Sequence, residues 1–285
     1  NLLLGALAIV AAIYAATALL VFVFQDHLVY PAPRGGIRHP REAGLADAEP
    51  FEVRSGGLAL HGWILMPPRE PADASGDARR ESRPALLVFH GNGENVTLDA
   101  EWLDGLRREG LAVAAIDYRG YGLSEGAPSE SGLIEDGFAA LAALRARPEV
   151  DANKIVLLGS SLGTGVAVAV ASREPVAGVV LQSAFASLRA IAKRQFPWLP
   201  SLLLRSPFDS LARIGAVRAP ILFLHGTNDT LIPIADGRAL AAAAPNVSEF
   251  VAVEGAGHND LVALTPGYGR RIRDFALAAT AVARR

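Results

Sequence analysis

The stretch LLGSSLGTG, residues 157–165, decides the fold. An apolar run, KIVLL (154–158), leads into it, and a run of small apolar residues, VAVAVA (166–171), leads out. The pattern reads as strand, tight turn, helix. Two serines stand side by side in the turn. Where a strand turns sharply into a helix, the central residue takes a strained backbone, and its neighbours two positions away must be nearly side-chain-free. Gly159 and Gly163 flank Ser161 in this way, whereas Ser160 lies between Leu158 and Leu162. The spacing G-x-S-x-G therefore selects Ser161 as a presented nucleophile. A phosphate-binding loop would need a Lys-Ser/Thr pair after its glycines, and none follows.

Working outward, short unalternated apolar segments repeat between helical stretches. Strands are expected at 85–89, 111–116, 155–158, 176–181, 220–224 and 249–253. Helices are expected over 96–109, 132–147, 162–172, 235–244 and 268–283. Such alternation predicts an α/β fold with a mostly parallel central sheet covered by helices on both faces. Ahead of it, 50–54 and 58–65 read as a β-hairpin across Ser-Gly-Gly. In parallel sheets the ligand site lies at the carboxyl ends of the strands. The residues at those ends are HGNGEN (90–95), DYRGYG (117–122), GSSLG (159–163), QSAF (182–185), HGTND (225–229) and GAGH (255–258).

A serine hydroxyl needs a base, and the base needs an orienting carboxylate. On this type of turn the chain order is Ser, then acid, then His. Of six histidines only His225 and His258 follow Ser161. His225 precedes the plausible acids and reads as a packed strand-end histidine. His258, in a glycine turn, is the expected base. Asp229, on the loop after an apolar strand, is the expected acid. Its rivals are less well placed: Asp209 comes too early, Asp236 falls on a helix and Asp260 follows the base. Attack on a carbonyl also creates an oxyanion that needs two donors. One is the N–H of Leu162; the other is expected from the HGNG loop, at Asn92 or, second, Gly91. A tight turn would explain the glycines of that loop equally well.

Composition narrows the classes. The 285-residue chain carries a net charge of −2, which provides no field for nucleic acid. It has no cysteine, which excludes disulfides, thiolate metal sites and a thiol nucleophile. Hydrophobic residues make up 51%, an excess that collects in the uncharged segment 2–24. As a helix this segment reaches ~35 Å, enough to span a hydrocarbon core of about 30 Å. A cleaved signal peptide and a buried core helix are the alternatives; the apolar run outlasts a usual signal core and has no polar face. Arg34, Arg38 and Arg41 after the span would keep the domain in the cytoplasm by the positive-inside rule. The expected organisation is a membrane anchor at 1–24, a tether at 25–49 and a catalytic domain at 50–285. Within that domain, 67–84 is an exposed polar loop and 185–213 a cap.

FQDHLVYPAP, VFHGNGEN, IDYRGYGLSEG, LLGSSLGTGVA, QSAFAS, PFDSLARI, APILFLHGTNDTLIP and VEGAGHNDL together resemble the α/β-hydrolase superfamily over about residues 50–285. In particular the chain is similar to single-pass, membrane-anchored α/β-hydrolase domain-containing proteins related to the yeast bud-emergence homologue. The resemblance implies Ser161, Asp229 and His258 as a catalytic triad, no cofactor and no metal. It implies action on esters or thioesters, with lipid-derived acyl groups among the substrates. It also favours an extracytoplasmic domain, against the arginine pattern. The polar loop 67–84 departs from the family pattern.

The cap segment 185–213 interrupts the strand–helix alternation. Phe185, Phe196, Trp198 and Leu202 within it would either wall an acyl pocket or pack the cap onto the domain. A peptidase of the same fold and a non-catalytic binding protein are the competing functional classes.

Overall fold

The structure, a computed structural model, describes residues 2–45, 47–68 and 84–282. Most of the expected polar loop therefore lies outside the described residues. The chain opens with helix α1 (Leu2–Val29), which is apolar on all sides up to Phe24 and is long and apolar enough to cross a membrane. A signal sequence near an N-terminus would pass the same test. The helix does not stop at Phe24: Gln25 and Asp26 extend it to Val29, with Gln25 buried against the cap.

An eight-stranded sheet forms the centre. Its strands are β1 (Ala48–Pro50), β4 (Gly62–Leu65), β5 (Ala85–Phe89), β6 (Ala112–Ile116), β7 (Ile155–Ser160), β8 (Gly178–Gln182), β9 (Ile221–Gly226) and β10 (Val247–Val253). Their order is β1-β4-β6-β5-β7-β8-β9-β10. β1 and β4 pair antiparallel, as do β4 and β6, and every pair from β6 to β10 is parallel. The expected hairpin divides. β2 (Val53–Ser55) pairs with β3 (Leu58–Leu60) in a small sheet of its own, while β4 joins the main sheet.

Both faces are covered, which is why the parallel strands are apolar without alternation. Leu87 and Phe89 of β5, Leu157 of β7 and Phe223 of β9 pack against α3 (Glu130–Arg145), α4 (Leu162–Ala171), α6 (Ser210–Ile214) and α7 (Ile234–Ala243) through Leu133, Val166, Ile214 and Leu240. The alternate residues Leu86, Val88, Leu158 and Leu224 pack on the other face. There they meet α2 (Ala100–Arg108), α8 (Leu261–Leu264) and α9 (Tyr268–Val282) through Leu103, Leu106, Leu261 and Ile272. Helix boundaries follow local chemistry: the Ser129 hydroxyl accepts from the Gly132 N–H and starts α3 ahead of its expected position. The cap consists of α5 (Leu188–Gln195), capped by Ser187, and an irregular segment with a 3₁₀ turn at Ser201–Leu203.

Candidate active site

Ser161 sits between β7 and α4 with φ 48° and ψ −113°, a conformation an L-residue adopts only under constraint. The constraint is visible at both glycines. A Cβ on Gly159 would stand 2.6 Å from the Gly163 carbonyl oxygen, and one on Gly163 would stand 2.6 Å from the Phe89 carbonyl carbon. Both obstacles are backbone and cannot give way. The turn is held from within: the Ser161 N–H donates to Gln182 O (3.0 Å), and the Thr164 hydroxyl donates to Ser161 O (2.7 Å).

The two serines have different surroundings. The Ser160 hydroxyl accepts from Gln182 Nε2 (2.9 Å), and Gln182 Oε1 accepts from the buried Tyr268 hydroxyl (2.6 Å). Ser161 Oγ instead lies 3.0 Å from His258 Nε2. His258 Nδ1 lies 2.8 Å from Asp229 Oδ2, so that ring nitrogen carries the proton and Nε2 is the acceptor facing the serine. Asp229 Oδ1 accepts from the N–H groups of Leu231 (3.0 Å) and Ile232 (2.8 Å). Burial would raise the Asp229 carboxyl, but the His258 hydrogen bond, the Ile232 N–H and the nearby histidine charge outweigh it. The net effect holds it below the usual carboxylate range, ionised beside its histidine.

The rival groups have other partners. His225 is buried, bonds the Ile232 carbonyl through Nε2 (2.8 Å) and is held neutral, with burial the main cause. Asp209 caps α6 by accepting from the Ala212 N–H (3.1 Å). Asp236 receives both guanidinium nitrogens of Arg194, at 3.1 and 2.8 Å. Asp260 accepts from the Gly257 N–H (2.6 Å) and so shapes the turn that carries His258.

The HGNG loop is held by side-chain contacts that were not apparent from the sequence. Glu94 takes the Gly91 N–H at 2.5 Å, which commits that donor within the loop. Asn92 accepts from the Tyr121 hydroxyl (2.6 Å) and donates through Nδ2 to the Val29 carbonyl, the last of α1 (2.6 Å). His90 is buried against Tyr118 and Tyr121, with ring centroids 4.4 and 5.3 Å away, and burial keeps it neutral. Behind the loop, burial and then the Glu94 and Asp117 carboxylates push the Asp99 carboxyl up to about 8. The available signals were Glu94 directly after HGNG, Tyr121 in the next strand-end motif, and Gln182 at the end of the strand beside Ser160. Among the described residues no group of three His, Cys, Asp or Glu side chains is arranged to hold a metal ion.

The four expected pocket residues do not share a wall. Phe185 is fully buried, edge-on to Phe208 with ring centroids 6.5 Å apart, and both rings lie against Gly165 of α4. Phe196, Trp198 and Leu202 are 51%, 50% and 80% exposed on the cap. The bend after Phe185 sends the first ring into the core, and the prolines at 197 and 200 carry the others outward.

The sequence profile described as alpha/beta hydrolase fold matches residues 84–211. The Mycobacterium tuberculosis (strain H37Rv) uncharacterized protein Rv2307c is 35% identical over 258 residues, which is 90% of this chain and 88% of that protein. Human alpha/beta hydrolase domain-containing protein 17C is 38% identical over 195 residues, covering 68% of this chain and 58% of that one. The match thus spans under two thirds of the human protein. Among solved structures, a Pyrococcus furiosus esterase superposes with a TM-score of 0.68 at 21% identity, covering 87% of this chain and 96% of its own. An acetyl xylan esterase from Paenibacillus sp. R4 does so with 0.65 at 21% identity, covering 82% and 85%. With the strand order, the Ser161 turn and these similarities together, the chain belongs to the α/β-hydrolase superfamily and is, by fold and family, a hydrolase.

Proposed function

We propose that the chain is a membrane-anchored serine hydrolase that cleaves carboxylic esters or thioesters through an acyl-enzyme. The observation that carries this reading is the unbroken relay Ser161 Oγ, His258, Asp229, at 3.0 and 2.8 Å, mounted on a strained strand-to-helix turn. In the acylation step Ser161 Oγ bonds to the substrate carbonyl carbon and its proton passes to His258 Nε2. Asp229 remains ionised and stabilises the imidazolium. Collapse of the tetrahedral adduct breaks the bond to the alcohol or thiol, which leaves with the proton from His258. Water then repeats the sequence, transferring its proton to His258 and releasing the acid. The oxyanion is assigned to the N–H of Leu162, the first residue of α4, where the helix end favours negative charge. The second donor is assigned to the Asn92 N–H, since the Gly91 N–H is committed to Glu94. The relatives' names and the neighbouring esterases support hydrolysis of this kind. Helix α1 supplies the anchor in this reading.

The test is hydrolysis of p-nitrophenyl esters of graded acyl length beside aminoacyl-nitroanilides. Turnover of the esters alone is expected. Cleavage of the anilides would make the chain a peptidase, and turnover of neither would leave a binding protein on a hydrolase scaffold.

A further inference from the structure

The cap leaves its most apolar segment in the open. Residues 196–204, FPWLPSLLL, contain one polar side chain, Ser201, and no charge. Lys193 and Arg194 precede the segment and Arg205 follows it. Phe196, Trp198, Leu202 and Leu203 are each at least 40% exposed. For a surface in water this is a costly concentration of large apolar groups.

The segment lies along α1 and touches it at two separated heights. Near one end of the helix, the Gln25 amide donates to Leu203 O (3.2 Å) and accepts from the Arg205 N–H (2.7 Å). Beside it Arg205 pairs with Asp26 at 2.9 Å and lies over the Phe22 ring at 5.4 Å. Further toward the N-terminus, the Tyr14 hydroxyl donates to Trp198 O (2.9 Å). Tyr14 and Gln25 are about 16 Å apart along the axis at ~1.5 Å per residue, about half of a ~30 Å hydrocarbon core. With 2–24 as the span, the Arg205–Asp26 pair stands at the membrane surface and Trp198 near the bilayer midplane.

Part of the segment's backbone is paired within the protein. In hydrocarbon an unpaired N–H or C=O costs several kcal/mol. Here the N–H groups of Phe196, Leu199, Leu203 and Leu204 bond to carbonyls within the cap, and positions 197 and 200 are prolines without an N–H. Tyr14 satisfies the Trp198 carbonyl, and that carbonyl in turn satisfies the Tyr14 hydroxyl at mid-span. Arg205, paired with Asp26 just past the apolar span, falls where headgroups would lie.

We infer that residues 196–204 are immersed in one leaflet of the bilayer that α1 spans, docked against that helix from the surface to the midplane. The occupant of the exposed patch is the acyl region of that leaflet. Because α1 ends on Asn92 beside the Ser161 turn, the mouth of the site opens at the same leaflet. Resting on the hydrolase reading above, the substrate class that follows is a long-chain acyl ester or thioester resident in the membrane, entering sideways.

The test uses the full chain in phosphatidylcholine vesicles containing lipids brominated near either end of the acyl chain. Emission of the native chain minus that of Trp198→Phe isolates Trp198 from Trp63 and Trp102. Strong quenching by bromines near the chain terminus, and none by dissolved acrylamide, is expected. Trp198→Ser is expected to lower kcat/KM for a vesicle-borne palmitoyl ester about tenfold more than for dissolved nitrophenyl acetate, the equivalent of about 1.4 kcal/mol of lost apolar contact. Quenching by acrylamide alone would place the cap in water and overturn the inference. Protection from both quenchers in a chain that runs as a dimer would assign the patch to a second copy and overturn it as well. Quenching needs no turnover, so a chain quenched by bromolipid but inert on every ester would sink the hydrolase reading while upholding the immersion.

Discussion

The Ser161 turn and the cap both leave the carboxyl edge of the sheet and enter a helix, yet they are determined by opposite means. In the turn every position is fixed by something within a few ångströms: backbone beside Gly159 and Gly163, Gln182 beneath both serines, His258 in front. In the cap segment 196–204 the largest side chains are exposed, and its side-chain hydrogen bonds run to α1. A site governed by backbone geometry leaves a motif in the sequence, because few residues tolerate the geometry. A surface governed by its solvent leaves only a composition.

Substitutions separate the two regimes, and the largest effect belongs to the turn. Ser161→Ala is expected to abolish both ester turnover and labelling by a fluorophosphonate, whereas Ser160→Ala keeps both, because Ser160 faces Gln182. Loss of labelling in the Ser160 variant alone would transfer the nucleophile to its neighbour and erase the distinction drawn from the glycines.

Asp229→Asn is expected next, with kcat reduced on the order of 10⁴ while the fold persists, since the amide would leave His258 in the wrong tautomer. A loss under tenfold, measured in the same ester assay, would mean that His258 is oriented by another group. The carboxylate also carries a pH signature. Its folded pKa lies below the unfolded one, so its contribution to stability is present above the unfolded value and lost as pH falls through the folded one. Thermal melts of the native chain should therefore steepen toward acid more than those of the variant.

Gly163→Ala acts on folding instead of chemistry. With its methyl driven into the Phe89 and His90 backbone, it is expected to cost about 3 kcal/mol. Denaturant melts measure this, and an unchanged midpoint would show the turn to be softer than its contacts imply. On the cap, Arg205→Ala removes an ion pair whose side chains are 46% and 40% exposed. A change of about 0.5 kcal/mol or less in the same melts is expected. A larger loss would mean that the cap is held as tightly as the turn, and the contrast would fail.

The division also governs what could be read in advance. The order Ser161, Asp229, His258 at three strand ends was legible because each residue follows a local apolar strand and a turn, and parallel topology brings such ends together. The pairing of β1 with β4 was not: Ala48–Pro50 is too short to show alternation, and its partner is chosen across an intervening hairpin. That the helix runs on past the apolar span was hidden for a related reason. Gln25 and Asp26 look like the polar stop of a span, but the cap backbone and Arg205 satisfy them, and the helix continues to Val29. The separation of Phe185 from Phe196, Trp198 and Leu202 was hidden similarly, since Phe185 and Trp198 are alike as apolar letters and differ in whether the chain turns them inward or outward.

The hydrogen bond from Asn92 to the Val29 carbonyl has a practical meaning for anyone preparing the enzyme. A chain started after α1 would retain Ser161, His258 and Asp229 in register and would dissolve more readily. It would also remove one of the two hydrogen bonds of the Asn92 side chain and strip Leu203 and Arg205 of Gln25, loosening the HGNG loop and the cap together. Rates measured on such a shortened chain would report on the Ser161 site without the contacts from α1 that hold the neighbouring loop and cap.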